Sequence, residues 1–215
     1  MLNAIKNPAL VIIDMQNDFV RTGAPMEVPA ARALLPRLET LLSKVRAARL
    51  PVIFTRYVAT PGYEHLSGHL GWLKLIDPPV RACVPGVCRY YEDLRSSRDG
   101  ADIVDELAPE PTEVMIEKPF FSAFHGTDLN QRLQALGTDG LIVTGTITEM
   151  CVEDTARHAV HHGYRTVIAS DLVASNDPEM HDATLVAFAR NFGQVASAEV
   201  ILSQIQHLAE GIFDV

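Results

Sequence analysis

The fold is decided by residues 141–171, which read LIVTGTITEMCVEDTARHAVHHGYRTVIASD. The apolar run from Gly140 to Thr144 predicts a strand that is covered on both faces of a sheet. The segment Thr148–His162 has a helical pattern and stops at Gly163, a residue type common just after a helix. The run from Arg165 to Ser170 is a second buried strand. Strand, helix and strand in this order predict a right-handed crossover between parallel strands.

The same alternation of strands and helices extends over most of the chain. It predicts an α/β domain of the doubly wound, three-layer α/β/α class, with a six-stranded, mostly parallel sheet. The predicted strands are Ala9–Ile13, Pro51–Thr55, Val114–Glu117, Gly140–Thr144, Arg165–Ser170 and Ala198–Leu202. The predicted helices are Ala30–Arg49, Asp102–Leu107, Thr127–Leu136, Thr148–His162 and Pro178–Arg190, with a short helix after Leu202.

Residues 57–100 interrupt this alternation with glycines, prolines, two cysteines and the only tryptophan, Trp72. A structureless loop of that length is uncommon in a compact domain unless it has a function. We therefore expect one domain over residues 1–215, with an irregular lid or interface insert at about 57–100 that contains short helices.

Composition limits the possible partners and the compartment. The 215 residues are 47% hydrophobic, enough for a full core, and the net charge of −9 disfavours nucleic acid and anionic membranes as partners. Three cysteines are too few for a disulfide framework, which predicts a cytoplasmic protein. The first apolar run, Ala9–Ile13, is too short for a signal peptide or a membrane span.

Polar residues follow three of the predicted strands. Asp14 comes directly after the first strand, Lys118 after the third, and Cys151 a few residues after the fourth. Ligands of doubly wound sheets bind beyond the carboxyl ends of the strands, so all three lie where the fold places active sites. A carboxylate and an ammonium at the edge of a core need partners, and Asp14 and Lys118 are able to satisfy each other.

Cys151 lies in the first turn of the predicted helix Thr148–His162, where free N–H groups and the helix dipole favour the thiolate. A nearby Lys118 would lower the pKa of the thiol further. A thiol, a carboxylate base and an ammonium together form an activated nucleophile for acyl transfer. Each residue alone also has an ordinary structural interpretation: a small buried cysteine, a turn aspartate and a solvated lysine.

Three stretches together resemble the isochorismatase-like superfamily of cysteine hydrolases. They are ALVIIDMQNDFV, EKPFFSAFHGTDL and the stretch from residue 141 quoted above. The resemblance runs from about Ala9 to Leu202 and fails only in the insert. It implies that Asp14, Lys118 and Cys151 form a catalytic triad. It also implies a cis peptide bond between Thr146 and Ile147, an oxyanion hole made by the N–H groups of Ile147 and Cys151, and a homo-oligomer, dimeric or tetrameric.

The residues favour one branch of that superfamily. Nicotinamidase-type members carry an Asp-x-His metal motif after the second strand, where this chain reads Thr55-Arg56-Tyr57-Val58. Isochorismatases proper usually lack the cysteine that is present here. We therefore expect a cysteine hydrolase without metal or cofactor that cleaves an amide, ureido or carbamoyl C–N bond of a small, carboxylated molecule. The alternatives are a vinyl-ether hydrolase and a non-catalytic binding or assembly module.

Candidate substrate contacts follow from position and residue type. Arg56, just past the second strand, is suited to hold a substrate carboxylate, although a surface ion pair is an equally good interpretation. Aromatic side chains are expected either to wall a small pocket or to belong to the core. They are Phe19, Trp72, Phe120, Phe121 and Phe124. Thr148 is expected to cap the helix, and neither His158 with His162 nor His65 with His69 is expected to bind a metal.

Overall fold

The computed structural model describes residues 4–59 and 62–210. The ends of the predicted 1–215 domain lie outside the described residues, as does part of the insert. The strands are β1 (Pro8–Ile13), β2 (Val52–Tyr57), β3 (Cys88–Tyr91), β4 (Ser96–Asp99), β5 (Val114–Lys118), β6 (Gly140–Thr146), β7 (Arg165–Ala174) and β8 (Gln194–Ala196). The helices are α1 (Asn17–Val20), α2 (Pro29–Ala47), α3 (Leu129–Ala135), α4 (Glu153–His161), α5 (Pro178–Asn191) and α6 (Ala198–Glu210).

Six strands form a central parallel sheet in the order β5-β2-β1-β6-β7-β8, which confirms the predicted fold class. The chain first adds β2 and β5 on one side of β1 and then adds β6, β7 and β8 on the other side. The direction of strand addition therefore reverses between β1 and β6. This reversal opens a crevice at the carboxyl ends of the two strands, the usual ligand site of such sheets.

Side-chain alternation along the strands separates the two faces of the sheet. Leu10 and Ile12 of β1 pack into one hydrophobic cluster with residues of α2 and α6. Val11 and Ile13 pack into a second cluster with residues of α3, α4 and α5. Because both faces are covered by helices, the central strands β1 and β6 are buried along their whole length.

The last predicted strand is wrong. Residues 198–202 form the start of α6, and the sixth strand of the sheet is the short β8 before it. The apolar residues follow a helical period, because Ala198, Ile201 and Ile205 are buried while Val200 is 48% exposed. A five-residue segment with four apolar residues is too short to distinguish the two periods.

The insert is more ordered than predicted. It contains the expected short helices, which are 3₁₀ turns at Glu64–Leu66 and Gly71–Ile76, and also an antiparallel hairpin of β3 and β4. Farther on, the predicted helix Asp102–Leu107 shrinks to a 3₁₀ turn at Asp105–Leu107, because Ile103 pairs with Gln16 in an isolated bridge. Among the described residues, no helix is both long enough and apolar enough to span a membrane.

Candidate active site

Asp14 is the first residue after β1, and its backbone φ of 49° places it in the left-handed region. This sharp turn directs the residue into the crevice at the strand ends, where its side chain is fully buried. Its Oδ1 accepts a hydrogen bond of 2.7 Å from Thr55 Oγ1 at the end of the neighbouring strand β2. Asp14 is therefore a fixed carboxylate without contact to solvent.

Lys118 ends β5 and connects the other two predicted catalytic residues. Its Nζ lies 2.6 Å from Asp14 Oδ2 and 3.2 Å from Cys151 Sγ, and it donates a 2.8 Å hydrogen bond to the carbonyl of Phe120. Burial acts against the ammonium, but the Asp14 carboxylate outweighs it, and the pKa of Lys118 is raised. Lys118 is thus held as a buried cation with three polar contacts.

Cys151 lies in a single π-helical turn, Thr148–Val152, that precedes α4. Its side chain is 8% exposed. Burial raises the pKa of Cys151 to about 12, although Lys118 opposes the rise, and Asp14 adds to it. Burial therefore opposes the thiolate that the helix start was expected to favour, and the buried thiol needs a base at the moment of attack.

The segment before Cys151 contributes to the same cavity and contains an unusual peptide bond. The Thr146–Ile147 peptide bond is cis. Ile147 and Cys151 both line the cavity described below. The Thr148 hydroxyl, expected to cap the helix, instead lies 2.9 Å from His181 Nδ1 on α5 and is completely buried.

A cavity of about 290 Å³ opens above the thiol. Its walls come from the loop after α1, from the insert, from the segment after β5 and from the π-helical turn. The lining residues are Phe19, Pro25, Met26, Glu27, Tyr57, Trp72, Leu75, Phe121, Ile147, Met150, Cys151 and Asn176. Because Cys151 forms part of the floor, a small molecule in this cavity would meet the sulfur.

The structure brings some of the predicted aromatic residues to the cavity. Phe19, Trp72 and Phe121 line it. Phe120 does not, because its ring stacks on Tyr63 at 4.5 Å, although its carbonyl accepts the Lys118 hydrogen bond. Phe124 does not line it either, because its ring stacks on His162 with the ring centres 4.9 Å apart, so its expected substrate contact has no support in the structure.

Arg56 is also absent from the cavity. Side chains alternate along a strand, and in β2 Thr55 reaches Asp14 while Arg56 points the other way. Its guanidinium bonds Glu117 on β5 and, at 2.8 Å, Asp102 Oδ1. The ion-pair interpretation therefore describes Arg56, and its expected role as a carboxylate clamp has no support in the structure.

Two site residues escaped the sequence analysis. Thr55 bonds the Asp14 carboxylate, and Tyr57 lines the cavity with its ring 5.8 Å from Lys118 Nζ. The signal for both was the pairing of β2 with β1, since Ile13 aligns with Thr55. The sequence could have placed the end of β2 beside Asp14 only if the order of the strands in the sheet had been known.

His158, His162, Cys83 and Cys88 are not among the residues that line the cavity. His158 stacks on His162 with ring centres 5.2 Å apart, and its Nδ1 lies 2.9 Å from Ser122 Oγ. Over residues 4–59 and 62–210, no three His, Cys, Asp or Glu side chains are grouped to hold a metal ion. Cys83 is a buried free thiol and Cys88 an exposed one.

Comparison with known proteins yields relatives along nearly the whole chain. Maleamate amidohydrolase of Pseudomonas putida is 27% identical, covering 95% of this chain and 89% of the relative. Ureidoacrylate amidohydrolase of Stutzerimonas stutzeri is 30% identical, covering 89% and 79%. Nicotinamidase 3 of Arabidopsis thaliana is 31% identical, covering 90% and 86%.

Solved structures share the fold. A cysteine hydrolase from Pseudomonas syringae pv. phaseolicola superposes with a TM-score of 0.80 at 24% identity, covering 94% of this chain and 93% of that one. The family model described as the isochorismatase domain matches residues 8–200. That range contains all three residues of the proposed triad and the insert. The resemblance inferred from three short stretches is therefore confirmed, and the chain belongs to the isochorismatase family.

Proposed function

We propose that the protein is a cysteine hydrolase that cleaves an amide-type C–N bond of a small molecule through a thioester acyl-enzyme. The observation that carries this proposal is the position of Lys118 Nζ, which contacts both Asp14 Oδ2 and Cys151 Sγ beneath the cavity. A buried carboxylate, an ammonium and a thiol in mutual contact are the groups that acyl transfer by a cysteine requires.

In the first step, the neutral Cys151 thiol gives its proton to Asp14 while the sulfur attacks the amide or ureido carbonyl carbon. Asp14 is suited as the base because Thr55 and Lys118 hold its two oxygens in place. Lys118 remains protonated throughout, since its raised pKa keeps it an ammonium. It stabilises the thiolate that develops as the proton leaves.

The tetrahedral intermediate carries a negative oxygen that needs hydrogen-bond donors. We assign this role to the backbone N–H groups of Ile147 and Cys151, two residues that line the cavity. Asp14 then returns the proton to the leaving nitrogen. The C–N bond breaks, ammonia or an amine departs, and the acyl group stays on Cys151 as a thioester.

In the second half, a water molecule gives a proton to Asp14 and attacks the thioester carbonyl. The C–S bond breaks, Asp14 returns its proton to sulfur, and the acid product leaves. The net reaction consumes one water for each C–N bond. The named relatives support the amide class, since maleamate and ureidoacrylate amidohydrolases are by name hydrolases of amides. The expected dimer or tetramer stays a prediction.

The test is ammonia release across a panel of linear amides, ureido acids and carbamoyl amino acids, with Cys151→Ser as the matched control. We expect turnover of at least one class, loss of turnover in the variant, and an acyl adduct on Cys151 in the intact mass of trapped enzyme. Full amide turnover by Cys151→Ala would overturn the mechanism. Retained hydrolysis of a vinyl ether by the serine variant would instead favour chemistry driven by Asp14 as an acid.

A further inference from the structure

The cavity above Cys151 is walled almost entirely by apolar side chains. Tyr57, Trp72 and Phe121 form an aromatic group, with Trp72 5.9 Å from Tyr57 and 5.6 Å from Phe121 between ring centres. The remaining apolar lining residues are Phe19, Pro25, Met26, Leu75, Ile147 and Met150. Such a wall stabilises an apolar group by removing it from water.

No cationic side chain faces this cavity. All 18 lysines and arginines of the chain fall within the described residues, and none of them is among the lining residues. Lys118, beneath the floor, already has three polar partners in Asp14, Phe120 and Cys151. A carboxylated substrate would therefore find no side-chain cation in the cavity wall to bind its charge.

Besides the Tyr57 hydroxyl, the Trp72 indole N–H and the Cys151 thiol, the polar groups of the lining residues are an acid and an amide. Glu27 accepts hydrogen bonds from Arg32 and from the Gly23 N–H, so its carboxylate holds the nearby guanidinium. Asn176 donates to the Glu27 carbonyl. The neighbouring Arg32 is thus already paired with Glu27. The polar edge of the cavity therefore favours substrate groups that donate hydrogen bonds over anionic groups.

We infer that this site takes an uncharged amide whose non-reacting part is apolar, aliphatic or aromatic, and that it disfavours carboxylated amides and ureido acids. The inference rests on the proposed amide hydrolysis and replaces the carboxylated substrate expected from Arg56. Its physical basis is the cost of moving a carboxylate from water into a wall that offers no partner. The expected discrimination is on the order of a hundredfold in kcat/KM.

The experiment compares pairs of equal shape that differ in one charge. Succinamate is paired with 4-methylpentanamide, and 3-ureidopropionate with 3-methylbutylurea, because an isopropyl group matches a carboxylate in size. We expect the neutral member of each pair to be turned over with the higher kcat/KM. A higher kcat/KM for the carboxylated members would overturn the inference and leave the proposed hydrolysis intact.

Binding is measured separately, so that a failure of the proposed chemistry remains distinguishable. Cys151→Ala is titrated with both members of each pair while the emission of Trp72, the only tryptophan, is followed. Tighter binding of the neutral members supports the inference whether or not the native enzyme turns them over. Tighter binding of the carboxylates, or no binding of the neutral members, would overturn it.

A cavity variant tests the stated cause. Leu75, on the 3₁₀ turn of the insert, lines the cavity, and Leu75→Arg adds a cation there, whereas Leu75→Gln adds only polarity. We expect Leu75→Arg to lower the preference for the neutral member at least tenfold relative to Leu75→Gln. Equal preferences in the two variants would contradict the inference. Arg56→Gln, outside the cavity, should leave the preference of the native enzyme unchanged.

Discussion

Gly100 and Asp18 are packed so closely that a β-carbon at residue 100 would overlap the Asp18 carboxylate. Asp18, on α1 just after the proposed base Asp14, is fully buried, and its N–H donates to the Gly100 carbonyl. The same carboxylate accepts hydrogen bonds from the Cys83 N–H at 2.7 Å and from Tyr91 Oη at 2.8 Å. Through its backbone and its side chain, this one residue therefore ties three parts of the insert to the core beside the site.

Gly100→Ala should loosen this attachment. The added methyl group must displace the Asp18 carboxylate or the backbone after β4, and such overpacking costs about 1–3 kcal/mol. Urea unfolding measures the loss. Gly71→Ala is the matched control, because nothing lies within 4 Å of a β-carbon there, and it should change stability by less than about 0.5 kcal/mol. Equal effects of the two substitutions would contradict the proposed packing constraint.

Asp18→Asn should act on the cavity as well as on stability. It removes the charge that faces Arg89, whose Nε lies 2.9 Å from Oδ1, and the expected loss is about 2–3 kcal/mol. Because Trp72 and Leu75 of the insert line the cavity, we also expect a higher KM and a shifted Trp72 emission with a smaller change in kcat.

Tyr91→Phe is the milder control for Asp18→Asn, since it removes one hydroxyl donor and leaves the charge pair in place. It should cost about 1 kcal/mol. A loss of stability in Asp18→Asn without any change in KM or in Trp72 emission would reduce Asp18 to a purely structural residue.

Thr55→Val should lower kcat and leave KM nearly unchanged. The substitution keeps the shape but removes the 2.7 Å hydrogen bond to Asp14 Oδ1, so the proposed base loses one of the contacts that orient it. A hydrogen bond to a charged group of this kind corresponds to about tenfold in rate. Thr55→Ser retains the hydroxyl and should restore most of the activity. An unaltered kcat in the valine variant would show that Lys118 alone orients Asp14.

Alkaline pH should destabilise the protein through its two buried thiols. Burial, followed by Asp18, raises the pKa of Cys83 well above its usual value, and burial raises that of Cys151 to about 12. An unfolded cysteine titrates near pH 8.5, so the unfolded chain loses these protons first. The stability that the neutral thiols contribute is complete below about pH 8.5 and is lost as the pH rises above it.

Urea midpoints between pH 8 and 9.5 measure this effect. Each buried thiol should approach a slope of about 1.4 kcal/mol per pH unit at the alkaline end of that range. Cys83→Ala and Cys151→Ala should each flatten the decline, and Cys88→Ala, at an exposed thiol, serves as the control. A decline that is the same in all three variants would show that other groups cause it.

Much of the fold was predictable because it depends on local patterns. Buried parallel strands are continuous apolar runs, so five of the six predicted sheet strands lie within or overlap observed ones. The exception, Ala198–Leu202, shows the limit: a five-residue segment with four apolar residues fits either period, and packing of Ile201 and Ile205 against the sheet selects the helix. The hairpin of β3 and β4 was missed because its strands are polar, with three of the four residues of β3 at least partly exposed.

The sequence by itself determined the sheet class, the positions of Asp14, Lys118 and Cys151 at strand ends, and the family. These follow from consecutive residues and from the rule that ligands bind at the carboxyl ends of parallel strands. Only the tertiary structure decided which side chains face the cavity. Arg56 bonds Glu117, 61 positions away, and Thr55 bonds Asp14 across 41 positions. Such partners depend on the order of the strands and on the alternation of side chains along each strand. Because neighbouring side chains point to opposite faces, Thr55 lies in the site and Arg56 lies outside it.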